Sequence, residues 1–564
     1  MKSDLKSLSV QTTARVAFAQ IAIAIGFLYC TQGDAASPFG TFSVMRDGYD
    51  EKLAGAEWDR GTIRIDRVVQ NGSGGFSWAE NIDWGSMWAG TGLGNIPNDR
   101  NWVVWINSLP SWLRANSWEQ TPNNWDTYYN LIKWVCGQLP SQVKVIEVAN
   151  EKIWWVDDKI GFPDKASMAE YIKRTNWAVR ASSRSNLIIA GPTWVFPDAY
   201  ARDRFNELMD YQWSDGSRVI NYLDAFSMHN YTGEYNPTTD QVKKFEDWIK
   251  DLDDWYGNLG IKGWLNKAHY WTEFGWSIAN SDSRKTVSQE NQARFISRGY
   301  SALKSKGANI ALAFCMIPLD FNYNLDYALL NRDQTKRSSY WTANFATQWL
   351  NNVGTGVHTK STNRHTIDFG ARMVVWDSSS AYAYNTGSSL VEAKDMYGNA
   401  VTITNGNTVN IGQSPVYLIK NLSRNYRIKC KWGGKYLATT GSTSGSNVAT
   451  SDYNANSASI KWSLERVSGT QDVYRIKNLS GNNYLRATGT EVGSNIDSYS
   501  YNADWWSERW RVEKVPNDPG VYRIYCMWAP NMYVQATGDQ SGANVNITGY
   551  NADWWSSRWT LEPF

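Results

Sequence analysis

Two glutamates stand where an ionised side chain is costly. Glu151 closes "VKVIEVANE" and Glu273 lies inside "HYWTEFGWS", and both runs are otherwise mostly β-branched, aromatic or small residues. A carboxylate at the end of a buried strand costs several kcal/mol unless it is paired or put to use. Two such groups facing each other suit the splitting of an acetal: one protonates the departing oxygen while the other attacks or stabilises the sugar cation. Trp154, Trp155, Trp271 and Trp276 flank the two glutamates. Flat indole faces suit the C–H faces of sugar rings, so each is a candidate stacking platform, with core packing as the alternative.

The elements around these residues alternate. "NWVVWINSL", "VKVIEVANE", "NLIIAGPTW", "LDAFSMHNY", "HYWTEFGWS" and "NIALAFCMI" read as strands, each followed by a segment of helical period. Such alternation over roughly 300 residues predicts a parallel (β/α)8 TIM barrel, whose active sites sit at the C-terminal ends of the strands. Counting "AEWDRGTIRI" as strand one, and allowing a weakly marked unit near Trp112, puts Glu151 on strand four and Glu273 on strand seven. Glu147 shares the strand parity of Glu151 one layer deeper, where pairing with a barrel arginine such as Arg64 is expected.

This arrangement resembles clan A of the glycoside hydrolases. "IEVANE" is similar to the clan's Glu-Ile-Trp-Asn-Glu, and "TEFGW" to its strand-seven signature. The resemblance implies Glu151 as acid/base, Glu273 as nucleophile and Asn150 as the holder of the attacked sugar's 2-hydroxyl. It also implies that His229 and Tyr231, in "MHNY" at the end of strand six, bond the nucleophile and line the subsite. Ala149 and Lys152 depart from the clan's Trp and Pro at those places, so the substrate does not carry over. The Glu-x-x-Asn-Glu spacing is nearest to glycoside hydrolase family 39. In such an enzyme Glu151 is expected to be the carboxyl of raised pKa and Glu273 the ionised one.

The last third repeats itself. "YRIKCKWGGKYLATTG", "YRIKNLSGNNYLRATG" and "YRIYCMWAPNMYVQATG" begin at Tyr426, Tyr474 and Tyr522, at a constant spacing, and each unit ends in a strand carrying Trp462, Trp510 or Trp559. Three copies of short strands predict a closed threefold β structure. It resembles the ricin-type β-trefoil lectins, with Ile460, Glu508 and Ser557 where that family has Gln. At the family's stacking place only the second unit is aromatic, with Tyr499 against Ser451 and Thr548, so Tyr499 is the candidate sugar contact. The preceding stretch alternates in period two and predicts a small β-sandwich. The expected organisation is a signal peptide over 1–35, a barrel over 36–350, a sandwich over 351–420 and a trefoil over 421–564.

Lys2, Lys6 and Arg15 precede an apolar segment from Val16 to Cys30 and the small residues of "GDAAS". That is the form of a secretory signal peptide cleaved near Ala35, too short to span a membrane comfortably. A secreted monomer without membrane insertion is expected. A net charge of +2 gives no footing for a nucleic-acid partner. Four histidines and no His-Glu-x-x-His point to neither a catalytic metal nor another cofactor. Few cysteines predict a fold that disulfides do not hold together. The expected partner is a polysaccharide or oligosaccharide, cleaved within the chain. A carbohydrate-binding protein with an inactive barrel, and a transglycosylase, are the other readings of the same residues.

Overall fold

The computed structural model describes residues 37–564 except 43–51, 64, 73, 80–96, 107–108, 117–120, 149, 152–161, 197–198, 232–234, 237–240, 243–244, 280–285, 319–325, 352, 469, 471–472, 516–517 and 519. The expected signal peptide, Arg64, Trp154 and Trp155 therefore lie outside the described residues.

Eight parallel strands close a barrel: β1 (Phe39–Phe42), β2 (Trp58–Ile63), β3 (Asn101–Ile106), β4 (Val143–Glu147), β5 (Ile188–Ala190), β6 (Ala225–Tyr231), β7 (Ala268–Gly275) and β8 (Ile310–Phe314). Each pairs with the next, and β8 pairs with β1. The sequence count began one strand late and inserted one that is absent. Phe39–Phe42 is the first strand, and the stretch around Trp112 is a single 3-10 turn, Ser111–Leu113. The two errors cancel, so Val143–Glu147 and Ala268–Gly275 keep the numbers four and seven.

Helices follow β3 to β8 at Trp125–Gln138, Lys165–Arg180, Ala199–Met209, Phe245–Ile261, Gln289–Ser305 and Ser338–Leu350. Side chains set several of their starts. Asn124, Asp164 and Ser288 each accept a hydrogen bond from the backbone N–H three residues on, filling donors that a helix cannot fill itself. Period-two alternation sorts the strands. Val103, Val145, Ala190, Ala225, Tyr270, Ile310 and Leu312 fill the barrel interior. Ile146, Phe226, Trp271 and Phe274 face the helices in the larger core. One close approach depends on a glycine: a Cβ on Gly299 would lie 2.8 Å from the Phe274 ring, so that helix packs tightly on β7.

A five-stranded antiparallel sheet and a two-stranded one follow, covering Val357–Lys420, with a shared core of Met373, Val375, Val409, Ile411 and Leu418. The final region is a β-trefoil. Asn425–Cys430, Lys461–Arg466, Val473–Asn478, Trp510–Lys514, Val521–Cys526 and Trp559–Pro563 close a six-stranded antiparallel barrel. Three hairpins cap it. Trp462, Trp510 and Trp559 are fully buried. Their indole N–H groups donate to the carbonyls of Leu437, Leu485 and Val534, the same bond three times over. On the approximate threefold axis the amides of Asn447, Asn495 and Asn544 donate to one another in a closed ring at 2.8–2.9 Å. These bonds satisfy the polar atoms that three imperfect copies bring together.

The trefoil is bonded to the sandwich. Asp368 takes Lys420 at 2.8 Å from its own sheet and Lys514 at 2.6 Å from the trefoil. Ala371 is part of the trefoil core. The four described cysteines, including Cys430 and Cys526, are buried free thiols. No described helix is long and apolar enough to cross a membrane.

Candidate active site

Strand β6 supplies one wall of the barrel mouth. Its inward residues alternate as Ala225, Ser227, His229 and Tyr231, so three polar side chains climb in layers toward the C-terminal end. Deepest, Ser227 Oγ donates to Glu147 and contacts Thr272 Oγ1 at 2.8 Å. One layer up, His229 Nδ1 lies 2.6 Å from Glu151 and 3.6 Å from Glu273. At the top, the Tyr231 hydroxyl donates to Glu273.

Arg60 on β2 ties the layers together. Its Nε donates to Glu147 at 2.5 Å, one Nη to Glu273 and the other to Asn150 Oδ1 at 2.7 Å. The guanidinium lies 4.3 Å from the Trp105 ring centroid on the neighbouring strand, which holds it flat. The barrel arginine that Glu147 pairs with is Arg60; Arg64, the example the sequence suggested, lies outside the described residues. Leaving either charge buried without its partner costs about 3–5 kcal/mol, so the pair is fixed in place. Arg60, Ser227 and Thr272 were not singled out from sequence. The available signal was parity: Ser227 shares a strand face with His229.

Two local distortions aim the glutamates. Opposite β6 the register of β7 slips between Trp271 and Glu273, leaving Thr272 as an extra residue. The bulge reverses the alternation, so Trp271 points to the helices while Thr272 and Glu273 both point inward. Glu151 adopts a φ of +52°, the left-handed region that a residue with a side chain seldom occupies. Such a conformation costs about 1–3 kcal/mol and is tolerated where the surrounding structure imposes it. Asn150, bridged to Thr193 beyond β5, holds the chain on the other side of the peptide bond.

An oxygen of Glu151, an oxygen of Glu273 and a nitrogen of His229 lie within 4.8 Å of one another. Glu273 is buried, whereas the Glu151 side chain remains 38% exposed. These three atoms are also donors that a divalent cation would take. Arg60, fixed on a Glu273 oxygen, already supplies positive charge beside them.

The protonation order differs from expectation. Burial pushes the Glu273 carboxyl up to about 7; His229 and Arg60 oppose the shift, while Glu151 and Glu147 add to it. Loss of water would raise Glu151 as well, but the hydrogen bond and charge of His229, with Arg60 behind them, hold it below the ordinary value. In the free protein the buried carboxyl therefore keeps its proton to higher pH than the exposed one. Two carboxyls this close titrate as one system, and His229 Nδ1 lies between them. Chemistry that needs one proton on the set is expected to persist below about pH 7. It should decline tenfold per pH unit above, as that proton leaves. A pH profile of kcat/KM with an unactivated glycoside checks this; a rate still rising above pH 8 would contradict it.

Two further expectations are corrected. Trp271 and Trp276 are fully buried, so neither is a stacking platform. The bulge turns Trp271 outward, where its indole nitrogen lies 3.5 Å from the Tyr256 hydroxyl. Trp276 packs against Phe245, Trp248 and Phe295. In the trefoil, strand register makes Ser451, Tyr499 and Thr548 equivalent, opposite Tyr436, Tyr484 and Tyr533. The Tyr499 ring is partly exposed, with Trp505 5.6 Å away. Arg486 lies over it at 3.6 Å, gripped by Asp497. One ring face is therefore taken.

No protein-family model matches the chain, and no curated protein matches it in sequence. Solved structures give likenesses to separate parts. A family 39 glycoside hydrolase from the gut symbiont Bacteroides cellulosilyticus aligns at 13% identity and a TM-score of 0.45, covering 65% of this chain and 76% of that one. The Macrolepiota procera ricin B-like lectin in complex with lactose aligns at 15% identity and a TM-score of 0.22, covering 26% of this chain and 98% of that one. A GlcNAcα1-4Gal-releasing endo-β-galactosidase from Clostridium perfringens aligns at 17% identity and a TM-score of 0.23, covering 36% of this chain and 50% of that one. Likeness this distant does not carry activity across, so what the barrel does rests on its own side chains.

Proposed function

We propose that the protein is an exported retaining glycoside hydrolase that cuts within a polysaccharide, while its trefoil holds the polymer. The observation that carries this reading is the closeness of Glu151 and Glu273, within 4.8 Å oxygen to oxygen at the C-terminal ends of β4 and β7. Double displacement needs carboxyls about 5–5.5 Å apart, whereas direct displacement by water needs about 6.5–9.5 Å.

Glu273 attacks the anomeric carbon as the bond to the leaving oxygen breaks, and Glu151 gives that oxygen its proton. Glu151 then takes a proton from water, whose oxygen displaces Glu273 from the same carbon. Tyr231 and Arg60 donate to Glu273, fixing its oxygens and spreading its charge when it leaves. Arg60 occupies the Asn150 carbonyl, so the amide offers its N–H donors outward, suited to a sugar 2-hydroxyl. The nucleophile must be ionised and the acid protonated, the reverse of the resting preference. Both states hold the same number of protons, and His229 Nδ1, bonded to Glu151 and 3.6 Å from Glu273, offers the route between them.

Incubation with a panel of polysaccharides, with products sized and their anomeric configuration read by NMR, tests the proposal. Oligosaccharides of mixed length with retained configuration are expected. Release of monosaccharide alone would remove internal cleavage, and an inverted first product would overturn double displacement.

A further inference from the structure

Besides Tyr499, the trefoil exposes tryptophans at the junctions between its units. At each junction a hairpin of one unit donates a backbone hydrogen bond to the residue before the preceding unit's buried tryptophan. The three bonds are Met527 to Arg509, Lys431 to Arg558 and Leu479 to Lys461. The first junction carries Trp506 and Trp528, 51% and 41% exposed. The second carries Trp555 and Trp432, 53% and 38% exposed. Ala458 and Ser480 occupy the same two places at the third. Core packing does not explain these four side chains, because the threefold core is filled by Trp462, Trp510 and Trp559.

We infer that the two tryptophan junctions are binding sites for an uncharged polysaccharide chain, one chain segment at each. The inference rests on the reading of the barrel as a glycosidase for its choice of a sugar polymer. Each junction pairs flat apolar faces with adjacent polar donors and acceptors, the two surfaces of a pyranose. Arg509 stacks on Trp506 at 4.5 Å and Arg558 on Trp555 at 5.6 Å, with Lys431 6.0 Å from the Trp555 ring, and both indoles stay about half exposed. Charge decides against an acidic polymer. Asp518 neutralises both Lys431 and Arg558, at 3.3 and 3.7 Å. Asp504 and Asp553 are exposed just before the tryptophans of each 3-10 turn. Two separate sites on one domain hold one polymer more tightly than either alone, since the second contact forms within the complex.

Affinity electrophoresis of the full chain in gels containing hydroxyethylcellulose, galactomannan, arabinoxylan or polygalacturonate tests this. The method reads binding without turnover, so its result stands whether or not the barrel cleaves. At least one uncharged polymer should retard the protein. Trp506→Ala with Trp528→Ala should weaken that binding about tenfold, and adding Trp432→Ala with Trp555→Ala about tenfold more. Trp177→Ala, an exposed indole on a barrel helix, should change nothing. If the fourfold variant does not fold, protection of the wild-type indoles from acrylamide quenching by the polymer carries the same test. Unaltered retardation of the fourfold variant, retardation by polygalacturonate alone, or none by any uncharged polymer would overturn the inference.

Discussion

Glu273→Ala should abolish hydrolysis of every glycoside, a loss on the order of 10⁵-fold or more, as expected when a nucleophile is removed. The loss should not depend on the leaving group, because no later step begins without attack at the anomeric carbon. Glu273 is buried between Arg60 and Tyr231, so alanine also leaves those donors without their acceptor and a shift in melting temperature is expected. Glu273→Gln keeps the volume and one acceptor oxygen, and should match the wild type in melting while remaining inactive. Residual activity of the glutamine variant near wild-type level would end the assignment.

Glu151→Ala should behave differently. General acid catalysis contributes about 10²–10⁴-fold, so natural substrates and alkyl glycosides should lose that much. Aryl glycosides whose phenol leaves without a proton should form the glycosyl-enzyme at near-normal rate, then stall for want of a base to activate water. Added azide needs no base. It should restore turnover of the aryl substrates and yield a glycosyl azide of retained configuration. The same variant should lose the fall in rate above about pH 7, since its chemistry no longer uses the shared proton. Absence of azide rescue, or a glycosyl azide of inverted configuration, would remove Glu151 from the acid/base role.

Period and repetition determined a large part of this protein from sequence alone. Alternation of two along "AFSMHNY" put His229 and Tyr231 on one face of a strand, because successive side chains must point to opposite faces. The recurring units from Tyr426 onward implied threefold closure, because one short unit cannot bury its own tryptophan. Partnership across the barrel was a different matter. Period says which face a residue occupies but not what stands opposite, so Glu147 found Arg60 only once β2 and β4 were placed. An inserted residue leaves no mark on composition, and the bulge at Thr272 sent Trp271 outward although its parity matched Glu273. The order of protonation was least legible. Both glutamates read from sequence as strand ends, but Glu273 is buried within β7 while Glu151, beyond β4, stays open and hydrogen-bonded to His229. That difference is one of solvent and neighbours, which exist only after the chain has closed on itself.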